Sequence, residues 1–295
     1  MKKLLTTIAI LALSATITCC GPADKSVGHA PNQIILETPT PKPAPPTPTP
    51  IPPTPTSETK QGTPEPPGPA VTDIMVDIPG GPFTMGNDEG DPEDAPAHEV
   101  DLPSFEIDKF EVTNADFAVF VKETGYVTFA EQKGFRSWRD ERGPGEDNHP
   151  VVMVTWDDAA AYCRWLGKRL PTEAEWEKAA RGEDGRPFPW GEVWDPAKAN
   201  VKETGLRGTA AVGSFGAGAS PYEVEDMIGN VWEWTADWYQ PYPGNTTPDA
   251  SYGEKYRVTR GGGWFELEPQ ATTFNRNAAD PQKTANDDLG FRCAR

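Results

Sequence analysis

The residues best placed to do chemistry lie in one stretch, Arg257 to Asn277, "RVTRGGGWFELEPQATTFNRN". Three glycines run into a tryptophan and then into polar, loop-like sequence. Glycines in series suit a backbone that turns with positive φ or lies close to another group. Glu266 and Glu268 follow within five residues, and a carboxylate so placed can act as a general base or as a ligand for a hard metal. The other titratable residues carry weaker signals. His98 and His149 stand alone and read as structural. "NDEGDPED", Asn87 to Asp94, is acidic but lacks the spacing of an EF-hand loop and reads as solvated. No phosphate-binding glycine loop, HExxH helix or nucleophile elbow is present.

The sequence around this stretch divides into three parts. "MKKLLTTIAILALSATITCC" has two lysines and then an apolar core from Leu4 to about Ala15, as a signal peptide does. That core is short of the ~20 apolar residues of a spanning helix. Its end, "TITCCG", resembles a bacterial lipobox, which makes Cys20 the expected lipidated residue and Cys19 the alternative. Residues 21–70 form a Thr/Pro-rich linker, densest from Thr38 to Ala70. Such sequence builds no core and populates extended polyproline II, at ~3.1 Å per residue a spacer of roughly 100 Å. The expected location is therefore extracytoplasmic, on a membrane reached through the N-terminal lipid.

Residues 71–295 have the composition of one large folded domain. The chain carries 27 Lys+Arg against 45 Asp+Glu, a net charge of −18, which argues against a nucleic-acid partner. "TDIMVDIPGGPFTMGN" reads as a hairpin around Gly80-Gly81, and "HEVDLPSFEIDKFEV" as a further strand or pair. "TNADFAVFVKETG" reads as a helix with Thr113 as N-cap, an apolar stripe of Phe117, Phe120 and Val121, and Gly125 as its stop. "TWDDAAAYCRWLGKRLPTEAEWEKAARG" predicts two more helices, the second opened by a Thr172/Glu175 capping box. Short strands are expected at "EWTADWY", "YRVTRGGGW" and "LGFRCAR". The class is α+β, rich in loops, and Cys163 and Cys293 read as a disulfide in an oxidising compartment. Trp232, Trp234, Trp238 and Trp264 read chiefly as core.

Six blocks in order, "IPGGPFTMG", "HEVDLPSFEIDKFEVTNADFAVFV", "HPVVMVTWDDAAAYCRWLGKRLPTEAEWEKAARG", "GNVWEWTADWY", "RVTRGGGW" and "LGFRCAR", resemble the formylglycine-generating enzyme (sulfatase-modifying factor) family. The resemblance covers nearly everything from Ile78 onward. It implies a compact fold related to C-type lectins, with short antiparallel strands and about three helices, often metal-stabilised. The Cys163–Cys293 pairing also matches a disulfide of that family.

Authentic members oxidise a sulfatase cysteine to formylglycine with copper held by two cysteines. Those cysteines follow the glycine block in a pattern like G-G-S-[YW]-x-C, with the second about five residues on. Here Gly263 stands for the serine, Glu266 for the first cysteine, and the second falls near Ala271. Cu(I) is soft and suits thiolates, so copper is not expected and the oxidase activity is not carried over.

The resemblance also implies calcium. One site would use the Asp226 and Glu233 carboxylates with the Gly229 and Val231 carbonyls, a suitable set of hard oxygens. Asp226 replaces the more usual asparagine. A second site would use Asn200 with the Val201 and Leu206 carbonyls, but Thr204 stands where an acidic ligand is expected. The function implied is a calcium-stabilised binding or scaffolding module for a protein, peptide or glycan. Its expected ligand-facing residues are Trp264, Phe265, Glu266, Glu268, Asn275, Arg276 and Asn277. The alternative is a formylglycine-type oxidase working through a non-thiolate site.

Overall fold

The computed structural model describes residues 73–268 and 270–295. The expected leader, the linker and both Cys19 and Cys20 lie outside the described residues.

The first elements are four strands, β1 (Met75–Ile78), β2 (Gly81–Met85), β3 (His98–Leu102) and β4 (Phe105–Asp108). β1 does not fold back on β2, so the expected hairpin around Gly80-Gly81 is absent. β1 pairs antiparallel with β4, and β2 with β3. Ile78 faces Phe105 and Gly81 faces Leu102, so one register continues across the gap. Pro79 and Pro103 interrupt the ladder there, because proline has no N–H to give it. The result is one long ribbon in two pieces.

Five helices follow: α1 (Asn114–Thr124), α2 (Phe129–Lys133), α3 (Trp138–Glu141), α4 (Trp156–Trp165) and α5 (Glu173–Arg181). The three predicted ones are α1, α4 and α5; the two short ones were not legible as helices. α1 starts where Thr113 Oγ1 accepts from the Asp116 N–H and ends at Gly125, whose φ of 68° needs no Cβ. Reciprocal capping boxes open α2, α4 and α5, at Thr128/Glu131, Thr155/Asp158 and Thr172/Glu175. α1 and α4 enclose the main core with Trp138, Trp234 and Phe291.

A second sheet comprises β5 (Trp232–Trp238), β6 (Arg257–Arg260), β7 (Arg276–Ala279) and β8 (Leu289–Gly290), in the order β7-β6-β5-β8. β5 and β8 run parallel, a departure from the all-antiparallel expectation. The Cys163–Cys293 disulfide is formed inside the main core, fastening α4 to the segment after β8 across 130 residues.

α5 ties the ribbon to the sheet through buried charge. Glu173 receives Arg276 Nε at 2.6 Å, Arg260 Nη1 at 3.2 Å and the Tyr242 hydroxyl at 3.0 Å. One turn on, Glu177 receives Arg260 Nη2 at 2.5 Å, Arg181 Nη1 at 2.7 Å and the Gly86 N–H at 2.7 Å. All of these side chains are 7 % exposed or less. Removing one member of a buried ion pair leaves its partner uncompensated, at about 3–5 kcal/mol. Glu173→Gln is therefore expected to lower the unfolding free energy by about that amount, read from its urea midpoint against wild type.

Candidate functional site

The glycine-rich loop leaves β6 and turns at once. Gly261 and Gly262 have φ of 96° and 77°. A Cβ on Gly261 would lie 3.1 Å from the Met227 carbonyl oxygen, and one on Gly263 would lie 2.9 Å from Asp288 Oδ2. The loop therefore needs glycine both for its turn and for its close approaches. The Trp264 N–H donates to the Asn230 carbonyl at 2.9 Å, and the half-buried Trp264 ring stands edge-on to Phe265 at 5.4 Å.

Of the seven expected ligand-facing residues, Trp264, Phe265, Glu266 and Asn277 are half-buried and Glu268 is exposed. Asn275 and Arg276 are buried and do not belong to a recognition surface. Arg276 opens β7, grips Glu173 through two nitrogens, donates to the Glu93 and Gln240 carbonyls, and lies 3.9 Å over the Tyr242 ring. Asn275 Nδ2 donates to the Gln270 carbonyl and so braces the loop from within.

Glu266 sits on this loop with its carbonyl accepting from the Lys202 N–H. Ala271 is fully buried, packed with Phe188, Val201 and Ile228. The two cysteines among the described residues are joined to each other. No thiolate is present near the glycine block, and a copper–thiolate centre cannot be assembled from these side chains.

Asp288 is a group that sequence reasoning missed. It is 2 % exposed and its Oδ2, directed at Gly263, has no hydrogen-bond partner. Burial first, then Asp287 and Glu266, push its carboxyl up to about 7.

Below the loop lies the turn before β5. Asp226, Gly229 and Asn230 all have left-handed φ, at 56°, 74° and 58°. Glu233 is buried and committed to protein partners: Arg292 Nε and Nη2 at 2.8 Å each, and Trp176 Nε1 at 2.9 Å. Asp226 Oδ2 accepts the Gly213 N–H at 2.6 Å. Beside it lies Glu111, a second residue missed from sequence, whose Oε1 accepts from Asn230 while Oε2 has no partner. Its signal was a charge between Phe110 and Val112 in an otherwise strand-like run.

Burial, with the Asp226 charge next, pushes Glu111 well above the carboxylate range. Burial likewise takes Asp226 to about 6, against the opposing Gly213 N–H and Arg292. Once Glu233 is set against Arg292, the Asp226 and Glu111 carboxyls remain buried without an arginine of their own, with one unpartnered oxygen. A buried carboxyl pair of that kind suits a hard cation, with Asp226 as the expected side-chain ligand. Among the described residues no three His, Cys, Asp or Glu side chains are grouped to hold an ion, so main-chain oxygens would have to complete the shell.

The other expected cation set differs. Asn200 Oδ1 and the Val201 carbonyl both lie within hydrogen-bonding distance of Thr204 Oγ1, at 3.2 and 2.7 Å, and Leu206 is exposed. Asn200 spends its Nδ2 on Gly208 and Asn230. With no carboxylate, this group acts as a brace for the turn.

The Sulfatase-modifying factor enzyme 1-like domain matches residues 60–295. The chain belongs to the sulfatase-modifying factor family. It is 37 % identical to the mouse protein named inactive C-alpha-formylglycine-generating enzyme 2, over 77 % of this chain and 87 % of that one. It is also 37 % identical to the formylglycine-generating enzyme of Streptomyces coelicolor, over 77 % and 92 %. Among solved structures, PvdO from Pseudomonas aeruginosa superposes with a TM-score of 0.59 at 32 % identity, covering 75 % of this chain and 93 % of its own. The fold is that family's C-type-lectin-like arrangement, mixed in helix and strand and rich in loops.

The raised Asp288 carboxyl sets a pH dependence. An aspartate in the unfolded chain titrates near 3.9. Between about 4 and 7 the folded protein therefore binds more protons here, and stability falls as pH rises through that window. Asp288→Asn should flatten the profile of melting temperature against pH across this range and melt above wild type at pH 7.5. Calorimetry from pH 4 to 8 reads both.

Proposed function

We propose that this protein is a binding or scaffolding module of the sulfatase-modifying factor family that has given up oxidase chemistry and is held together in part by calcium. The carrying observation is that, by the resemblance, Glu266 stands at one thiolate position and the other falls near Ala271, while the two cysteines of the described residues are joined in a disulfide. A relative named as inactive, at 37 % identity, is consistent with such loss within the family. The ligand is a protein, peptide or glycan, met by the loop surface of Trp264, Phe265, Glu266, Glu268 and Asn277. Such loops on a rigid frame are the usual place for recognition. The leader-like start and Cys20 support display on a membrane through a lipid anchor, with residues 21–70 as the spacer. Among the described residues no helix is long and apolar enough to cross a membrane.

Calcium, in this reading, sits at Asp226 with the Gly229 and Val231 carbonyls, and Glu111 supplies charge beside it. Its contribution there is to neutralise buried carboxylates and fix the turn beneath the loop.

Two experiments test these points. The protein, incubated with a Cys-x-Pro-x-Arg peptide, copper and oxygen, is expected to leave the thiol unchanged by mass spectrometry; conversion to the aldehyde would overturn the non-oxidase reading. Calcium at a hundredfold excess over its Kd should raise the melting temperature by about 5–10 °C. Asp226→Ala should abolish that shift, and no shift in wild type would remove calcium from the account.

A further inference from the structure

Beside the degenerate loop is a cleft of about 650 Å³, walled by three segments: 87–94, 185–192 and 268–274. Its carboxylates are Glu89, Asp91, Asp94, Glu192 and Glu268, and no Lys, Arg or His side chain lines it among the described residues. Asp94 is only 2 % exposed. One of its oxygens accepts the Arg276 N–H at 3.2 Å. The other accepts no hydrogen bond from the described residues and faces Gly90 on the cleft wall, where a Cβ would lie 3.0 Å from it. Burial pushes this carboxyl up to about 7 even though Arg260 and Arg276 stand behind it.

Those arginines are already engaged. Arg260 is held by Glu173 and Glu177, Arg276 by Glu173, and Arg181 by Glu177 and the Gly86 carbonyl. Arg186, between two lining residues, is paired with Asp184. Apart from the arginines behind Asp94, no cation among the described residues faces the cleft carboxylates.

We propose that this cleft is a binding site for an organic cation, a guanidinium or ammonium group on an apolar stem. The proposal rests on the binding-module reading and adds to its surface a cleft that shares Glu268 with it. Three features select that chemistry. The volume lies within the usual range of small-ligand sites. Phe188 and Phe274 line the cleft and give the stem an apolar wall. The carboxylates are spread around the walls and are not grouped to chelate, which disfavours a bare metal ion. A net charge of −18 draws cations toward the protein before contact. Two sources share this chemistry, a basic side chain of a peptide and a free polyamine.

Fluorescence polarisation with a labelled Gly-Arg-Gly-Arg-Gly peptide amide, competed by spermidine and separately by calcium chloride, tests the proposal on the full chain. Saturable binding is expected, weakened by salt and at least tenfold weaker in Glu192→Gln/Glu268→Gln. Both of those carboxylates are on exposed residues, so the variant should melt as wild type does. Asp94→Asn should weaken binding as well. Peptide binding that spermidine cannot displace assigns the site to a peptide; tighter spermidine binding assigns it to a polyamine. Absence of binding by both probes, or equal affinity in the double variant, would overturn the proposal. Stoichiometric displacement by calcium, lost in that variant, would replace the organic cation with a metal. Conversion of a cysteine peptide, by contrast, would sink the non-oxidase reading and leave these results standing.

Discussion

Two glutamates one turn apart on α5 hold this molecule in its arrangement. Glu173 and Glu177 reach three arginines, from α5 itself, from β6 and from β7. Those arginines in turn engage carbonyls of the 84–93 segment, of the 185 turn, and of residues 273 and 274. Few of the contacted segments have regular hydrogen-bonding partners of their own. A fold with so much irregular backbone has to satisfy its polar groups individually, and guanidinium groups with five donors each suit that task. The apolar clusters supply bulk stability; the ionic lattice decides where the loops lie.

The lattice also separates two regions with different freedom. Toward the interior are the Asp226 turn and the glycine block, where the main chain passes so close to neighbouring atoms that Gly229 and Gly263 have no room for a side chain. Outward are the 87–94 and 185–192 segments, whose bases are anchored by those arginines and where Glu89, Asp91 and Glu192 are exposed. That division lets one frame serve different ends: the inner part fixes geometry, and the outer residues can be replaced without rebuilding the fold.

The local signals in the sequence carried to the structure well. Thr113, Thr155, Thr172, Gly125 and Gly182 mark helix ends by the hydrogen bonds and φ values that any helix requires, and α1, α4 and α5 lie between them. The Cys163–Cys293 pairing was legible because the domain offers no other partner. Pairing between strands was less so. "IPGG" reads as a turn, and only the distant β3 and β4 show that it is a gap in a ribbon. Arg276 reads as a surface residue because arginine usually is one; its burial depends on Glu173, over a hundred residues away in sequence. Asp94 and Asp288 were hidden for the same reason, since a buried carboxyl is visible only when its neighbours are placed.

Gly263 and Asp288 together bear on how this chain can change. The family serine at position 263 would bring a Cβ to 2.9 Å from Asp288 Oδ2, so a side chain there requires the Asp288 carboxyl to move. Positions 263 and 288 are thus coupled: a substitution in the glycine block is felt by a carboxyl that lies outside the loop in sequence, and the two have to be changed together.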